Sequence, residues 1–339
     1  MNNNLYENKR FEYGVDLGWA SQIESLGYSW TDHEGNVQDI VKLVKSMGVT
    51  SVRLRLFVNP PQNGFWQKPT GDKCMLGFCD TESVISFAKR IQKEGMSLML
   101  DFHYSDLFAD PQFQIVPKDW EDDSYEDLLK HVHDYTVSTL NAFKKEGIDP
   151  LYVQNGNEIN PGILLPYGDR YKEPLHMTEL LNTAYDAIKE VFPTTEVVTH
   201  LAMVTDLEGC MDFFKTFFDR GGKTDILGFS YYPYWYGKVH DPELLLDNIN
   251  KMSSVFDKDV MITEVGGEQD DEENSYRIVK DTVNAVKGMA QRRGRGVYYW
   301  EPEACKELLP DGYMLCASVP FEDHKLKFNK ALDSYKEFI

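Results

Sequence analysis

Two glutamates stand at the ends of two apolar runs. Glu158 follows Leu151-Tyr152-Val153-Gln154-Asn155-Gly156-Asn157, and Glu264 follows Asp259-Val260-Met261-Ile262-Thr263. An acid at the end of a buried strand is costly unless it is paired, hydrogen-bonded or used in chemistry. For either glutamate alone, partnership with an arginine is the plainer explanation. Two of them on one face of one barrel supply what glycoside hydrolysis needs, a proton donor and a nucleophile. Carboxyl groups about 5–5.5 Å apart would act with retention, through a covalent glycosyl-enzyme intermediate. Asn157, next to Glu158, would then reach the sugar hydroxyl beside the reacting carbon.

Other run ends carry further polar and aromatic groups. Alternation along Arg53-Leu54-Arg55 puts both guanidiniums on one side, where neither can stay unpaired. A cation beneath a catalytic carboxylate would keep it ionised, and Arg55 is the candidate. Asp101-Phe102-His103-Tyr104-Ser105-Asp106 forms a dense polar cluster, from which His103 and Asp106 are expected to meet substrate. Tyr231, Tyr232 and Trp300 stand at two more run ends, and Trp300 offers a flat platform for the apolar face of a sugar ring.

Positioning these groups requires a scaffold that gathers many strand ends. Eight strand-like runs begin near residues 13, 51, 97, 151, 196, 225, 260 and 296. They are nearly continuously apolar, as parallel strands covered by helices are. Helical patterns alternate with them, over Val37–Met47, Thr81–Glu94, Tyr125–Lys145, His176–Val191, Glu208–Asp219, Pro242–Phe256, Ser275–Arg292 and His324–Phe338. This predicts one (β/α)₈ TIM barrel over 1–339, with residues 1–10 as a flexible tail. The long loops after the second, third and fourth strands predict a broad cleft at the C-terminal face.

Charge and cysteine usage narrow the function classes. A net charge of −20 argues against nucleic acid and anionic membranes. No run is long enough to span a bilayer. The polar start lacks an apolar signal core, so the protein is either cytoplasmic or has lost an export signal. Five cysteines in no metal-binding spacing leave at least one free thiol, with Cys74–Cys79 or Cys305–Cys316 as conceivable bridges and Cys210 apart. The acidic run Glu268–Glu273 could hold calcium but reads more simply as a solvated loop.

Over nearly its whole length the chain resembles glycoside hydrolase family 53, the endo-β-1,4-galactanases. The likeness rests on Gly14-Val15-Asp16, Val52-Arg53-Leu54-Arg55 with Asn59-Pro60, and Asp101 to Asp106 with Ala109-Asp110-Pro111. It continues through Gly156-Asn157-Glu158, Ser230-Tyr231-Tyr232-Pro233, Glu264 and Tyr299-Trp300-Glu301-Pro302. The resemblance implies Glu158 as acid/base, Glu264 as nucleophile, and Asn157 and Arg55 as their supports. Trp300 and one of Tyr231 and Tyr232 would line the sugar site, with Asp16 and His103 as further contacts. It also implies a galactan substrate, and a polymeric substrate points to action outside the cytoplasm; a monomer without a cofactor is expected. Leu107-Phe108 and Leu164-Leu165-Pro166 depart from the family's usual tryptophan-bearing loops, and so touch chain-length preference more than the reaction.

Overall fold

The computed structural model describes residues 10–339. Of the expected tail only Arg10 falls among them, paired with Glu12; the rest lies outside the described residues. Eight parallel strands close into a barrel: β1 (Glu12–Asp16), β2 (Ser51–Leu56), β3 (Ser97–Phe102), β4 (Tyr152–Asn155), β5 (Glu196–Leu201), β6 (Ile226–Tyr231), β7 (Asp259–Val265) and β8 (Gly294–Tyr299). Each pairs with its neighbours in the chain, and β8 returns to β1. This is the expected (β/α)₈ barrel.

Helices lie between the strands because their apolar stripes need the sheet's outer face. Thr81–Lys93 buries Val84, Phe87, Ala88 and Ile91, and Asp80 caps its N-terminus. Gly48, Gly95 and Gly147 follow three such helices with φ of +100°, +72° and +70°, a conformation that glycine adopts without strain.

Two segments differ from expectation. Val37-Gln38 is a strand, and its helix starts at Ile40 behind the Asp39 cap. The expected last helix from His324 is instead a strand, Lys325–Phe328, followed by a 3₁₀ segment, Lys330–Phe338. The strand joins Ser318–Glu322, Ser29–Thr31 and Val37–Gln38 in a small separate sheet. Only four residues alternate there, so the segment is too short for periodicity to separate the two structures.

The N-terminal end of the barrel is closed by a structural ion-pair group. Arg295 of β8 donates to Glu196 at 2.7 Å and to Asp259 at 3.0 Å. All five cysteines are buried and free, so neither conceivable bridge forms. Burial pushes the thiols of Cys79, Cys210 and Cys305 up to about 12, which makes them inert packing groups.

Candidate active site

The C-terminal strand ends open into a cleft of about 510 Å³. Glu158 and Glu264 both line it, together with Asn157, His103, Tyr232 and Trp300. Six of the ten expected residues therefore meet in one place. Asp16, Arg55, Asp106 and Tyr231 do not line it.

Glu158 sits just past β4 with φ +45°, a strained value for a side-chain-bearing residue and one found often at functional sites. Its carboxyl contacts Ser230 at 2.6 Å. Burial, followed by the charge of Glu264, holds its pKa well above the ordinary glutamate range, against the pull of Arg53. The two glutamates therefore feel each other across the cleft. Glu264 accepts from Arg53 Nη2 at 2.6 Å and from the Tyr232 hydroxyl at 2.8 Å. A bulge precedes it: Phe229 faces Ile262, but Ser230 faces Glu264, so Thr263 is the extra residue. Such a bulge re-aims the side chain that follows it.

The guanidinium under the nucleophile candidate is thus Arg53, and the expectation for Arg55 is corrected. Arg53 also donates to Asp16 at 2.7 Å and to Gln154 at 3.0 Å. Asp16 is 2% exposed, so it anchors Arg53 beneath the floor of the cleft rather than meeting sugar. Arg55 pairs with Glu301 and donates to the Leu76 carbonyl. Glu301 in turn accepts the Gly18 and Trp19 amides, both at 3.0 Å. A methyl group at Gly18 would lie 2.4 Å from Arg55, so only glycine allows this approach. Arg55 therefore fixes the loop that carries Trp19.

That loop braces the aromatic wall. Trp19 meets Trp300 edge-on at 5.0 Å, and Tyr313 meets Trp300 at 4.9 Å. Phe108, where the family's tryptophan is usual, lies against Trp300 and over Arg55.

Asp106 is corrected as well. It accepts the Asn59 and Lys118 amides, both at 2.9 Å, and so ties two loops together. Replacing Asp106 with Ala should cost about 1–3 kcal/mol of stability in urea melts and leave substrate affinity unchanged. Of the two tyrosines, Tyr232 faces the cleft. Tyr231 points into the helical shell, where its hydroxyl meets His240 at 3.0 Å and accepts the Asp241 amide. Tyr232→Phe should lower kcat about 10–100-fold, the worth of one hydrogen bond to a charged group, with folding intact by circular dichroism.

His103 accepts the Ala109 amide on Nδ1 at 2.9 Å, so its ring proton sits on Nε2, 3.0 Å from Asp101. Burial alone would raise Asp101, but the His103 ring that donates to it and the charge of Arg53 bring it below the ordinary aspartate range. In the acidic run, Glu268 pairs with Lys238, Asp270 with Lys306 and Glu273 with Lys330, while Asp271 caps a helix. Among the described residues no three metal-ligating side chains form a group that could hold an ion.

The pairing of Arg53 with Glu264 and the places of Ser230, His200 and Trp19 at the site go beyond the expected set. Alternation in β6 could have found Ser230, because Phe229 and Tyr231 face outward and Ser230 inward.

A closed barrel with two unlike carboxyls facing across an aromatic-walled cleft at its C-terminal end defines a glycosidase. The sequence comparison narrows the class. Residues 12–335 match the model of glycosyl hydrolase family 53, and the chain belongs to that family. It is 32% identical to an uncharacterised protein of Niallia circulans over 86% of this chain and 83% of that one. It is 29% identical to the endo-beta-1,4-galactanase of Bacillus subtilis over 87% of this chain and 70% of the relative. Among solved structures, the family 53 catalytic domain of Ignisphaera aggregans superposes with a TM-score of 0.81 at 26% identity, over 96% of this chain and 95% of that one. No helix of the described residues is long and apolar enough to cross a membrane.

Proposed function

We propose that the protein cleaves β-1,4-linked galactan internally, with retention. In the first step Glu264 attacks the anomeric carbon from one face while Glu158 protonates the departing oxygen on the other. In the second, Glu158 takes a proton from water, and the resulting hydroxide displaces Glu264. The observation that carries this proposal is the contrast between the two carboxyls. Glu158 is held in a protonating environment, and Glu264 is aimed by Arg53 and Tyr232. This difference in surroundings supports reading Glu158 as the acid and Glu264 as the nucleophile. The β-1,4-galactan substrate draws support from the relative in Bacillus subtilis named for that activity. A polymeric substrate also favours action outside the cytoplasm, and we read the working form as a monomer.

The raised Glu158 sets the pH dependence. The first step needs its proton, so kcat/KM should fall as pH rises through its free-enzyme pKa. Digests of galactan, β-1,3-galactan and β-mannan followed by proton NMR test the whole assignment. Internal cleavage of galactan, with the β anomer appearing first, is expected. Initial α product, or preference for mannan, would refute it.

A further inference from the structure

Glu158 does not end its own hydrogen-bond chain. Ser230 Oγ, 2.6 Å from Glu158 Oε1, also lies 2.8 Å from His200 Nε2. His200 Nδ1 lies 2.9 Å from Asn157 Oδ1. The far end is fixed in polarity. Asn157 Nδ2 donates to the Ala109 carbonyl at 2.8 Å, and Gln154 Nε2 donates to Asn157 Oδ1 at 3.0 Å. Gln154 is held the same way round by Arg53, which donates to its Oε1. Asn157 therefore presents an acceptor to His200, and Nδ1 must carry a proton.

With a neutral ring, Nε2 is then bare and accepts the single Ser230 proton. Ser230 Oγ can only accept from Glu158, so every contact is filled when Glu158 is protonated. One other arrangement fills them all. The Glu158 proton passes to Ser230 Oγ as the Ser230 proton passes to Nε2, leaving a carboxylate and an imidazolium with the proton count unchanged. A carboxylate beside a neutral ring leaves one Ser230 contact with no proton in it. Ser230 and His200 are buried, so leaving such a bond unmade on their side is costly.

We propose that Ser230 and His200 are positioning residues that hold the acid proton on Glu158 between turnovers, with Asn157 fixing the His200 tautomer. This rests on Glu158 being the acid/base. The surroundings select the first arrangement. His200 is fully buried and faces Arg53 of β2 and Asp101 and His103 of β3. Burial and then Arg53 drive it well below the ordinary histidine range, against the opposing pull of Asp101. Glu158 faces Glu264 of β7 and Asp110 after β3, which raise it, and Arg53, which lowers it; Tyr232, Tyr236 and Tyr313 also feel its charge.

His200→Phe removes the acceptor for the Ser230 proton and frees that hydroxyl to donate to ionised Glu158. The basic limb of kcat/KM should move down by about one pH unit. In a Ser230→Ala background the same replacement should produce no further shift, because the link is already cut. An unmoved limb, or equal shifts in both backgrounds, overturns the proposal. The parent protein offers a check that needs no variant to fold. Nitrogen-15 NMR should show His200 protonated on Nδ1 and bare on Nε2 across the active pH range, and a doubly protonated or Nε2–H ring overturns the relay. If Glu158→Gln keeps galactan turnover, the acid assignment itself has failed. If that variant is dead and the ring carries both protons, the relay alone has failed.

Discussion

Glu158→Gln is expected to lower kcat on galactan by about 10²–10⁴-fold, and Glu264→Ala by on the order of 10⁴-fold or more. The difference follows from what each loses. Without Glu158 the attack on the anomeric carbon still has its nucleophile, and only protonation of the leaving oxygen is missing. A leaving group that needs no proton, such as dinitrophenolate, should therefore restore the first step in Glu158→Gln and not in Glu264→Ala. Added azide separates the two further. In Glu158→Ala it should intercept the glycosyl-enzyme and give a β-glycosyl azide. In Glu264→Ala it should take the place of the missing carboxylate and give the α product. Azide products of the same configuration from both variants would show that the two glutamates do not stand on opposite sides of the reacting bond.

The two strand-end glutamates were legible because burial makes an acid there conspicuous, and all eight strands were legible because each lies in a largely apolar run set off by the helical patterns on either side. Depth was not legible. Arg53 and Arg55 alternate to the same side of β2, but they sit in different layers of the barrel interior. Which layer meets β7 depends on strand tilt and shear, and these are set by closure rather than by any local pattern. Arg53 therefore reaches Glu264, while Arg55 reaches Glu301. Asp16 and Asp106 failed for a related reason. A carboxylate near the functional face can serve substrate or hold a neighbour, and the partners that decide are distant in sequence: Arg53 for Asp16, Asn59 and Lys118 for Asp106. The choice between Tyr231 and Tyr232 turned on the bulge at Thr263 and the end of β6, which no motif announces.

Arg53→Met should cost about 3–5 kcal/mol of stability, the largest loss expected from any single replacement at this site. The guanidinium is 1% exposed and donates to Asp16, Gln154 and Glu264, with Asp101 at 3.9 Å. Its removal leaves three carboxyls buried around an apolar side chain. The pH dependence identifies the cause. Burial, against Arg53, already holds Asp16 well above the ordinary aspartate range, and losing the cation raises it further. A carboxyl whose folded pKa exceeds its unfolded value favours the native state at low pH and penalises it as pH rises. The gap in urea midpoint between variant and parent should therefore widen from acid towards neutral pH. Adding Asp16→Asn should recover part of it, because one uncompensated charge disappears. A gap that is constant with pH would mean that lost packing, rather than stranded charge, is what Arg53 prevents. Activity separates the two arginines. Arg53→Met also deprives Glu264 of one of its two donors and should cut kcat even where the protein is fully folded. Arg55→Met leaves Glu264 untouched and loosens the Trp19 loop, so its effect should fall on KM.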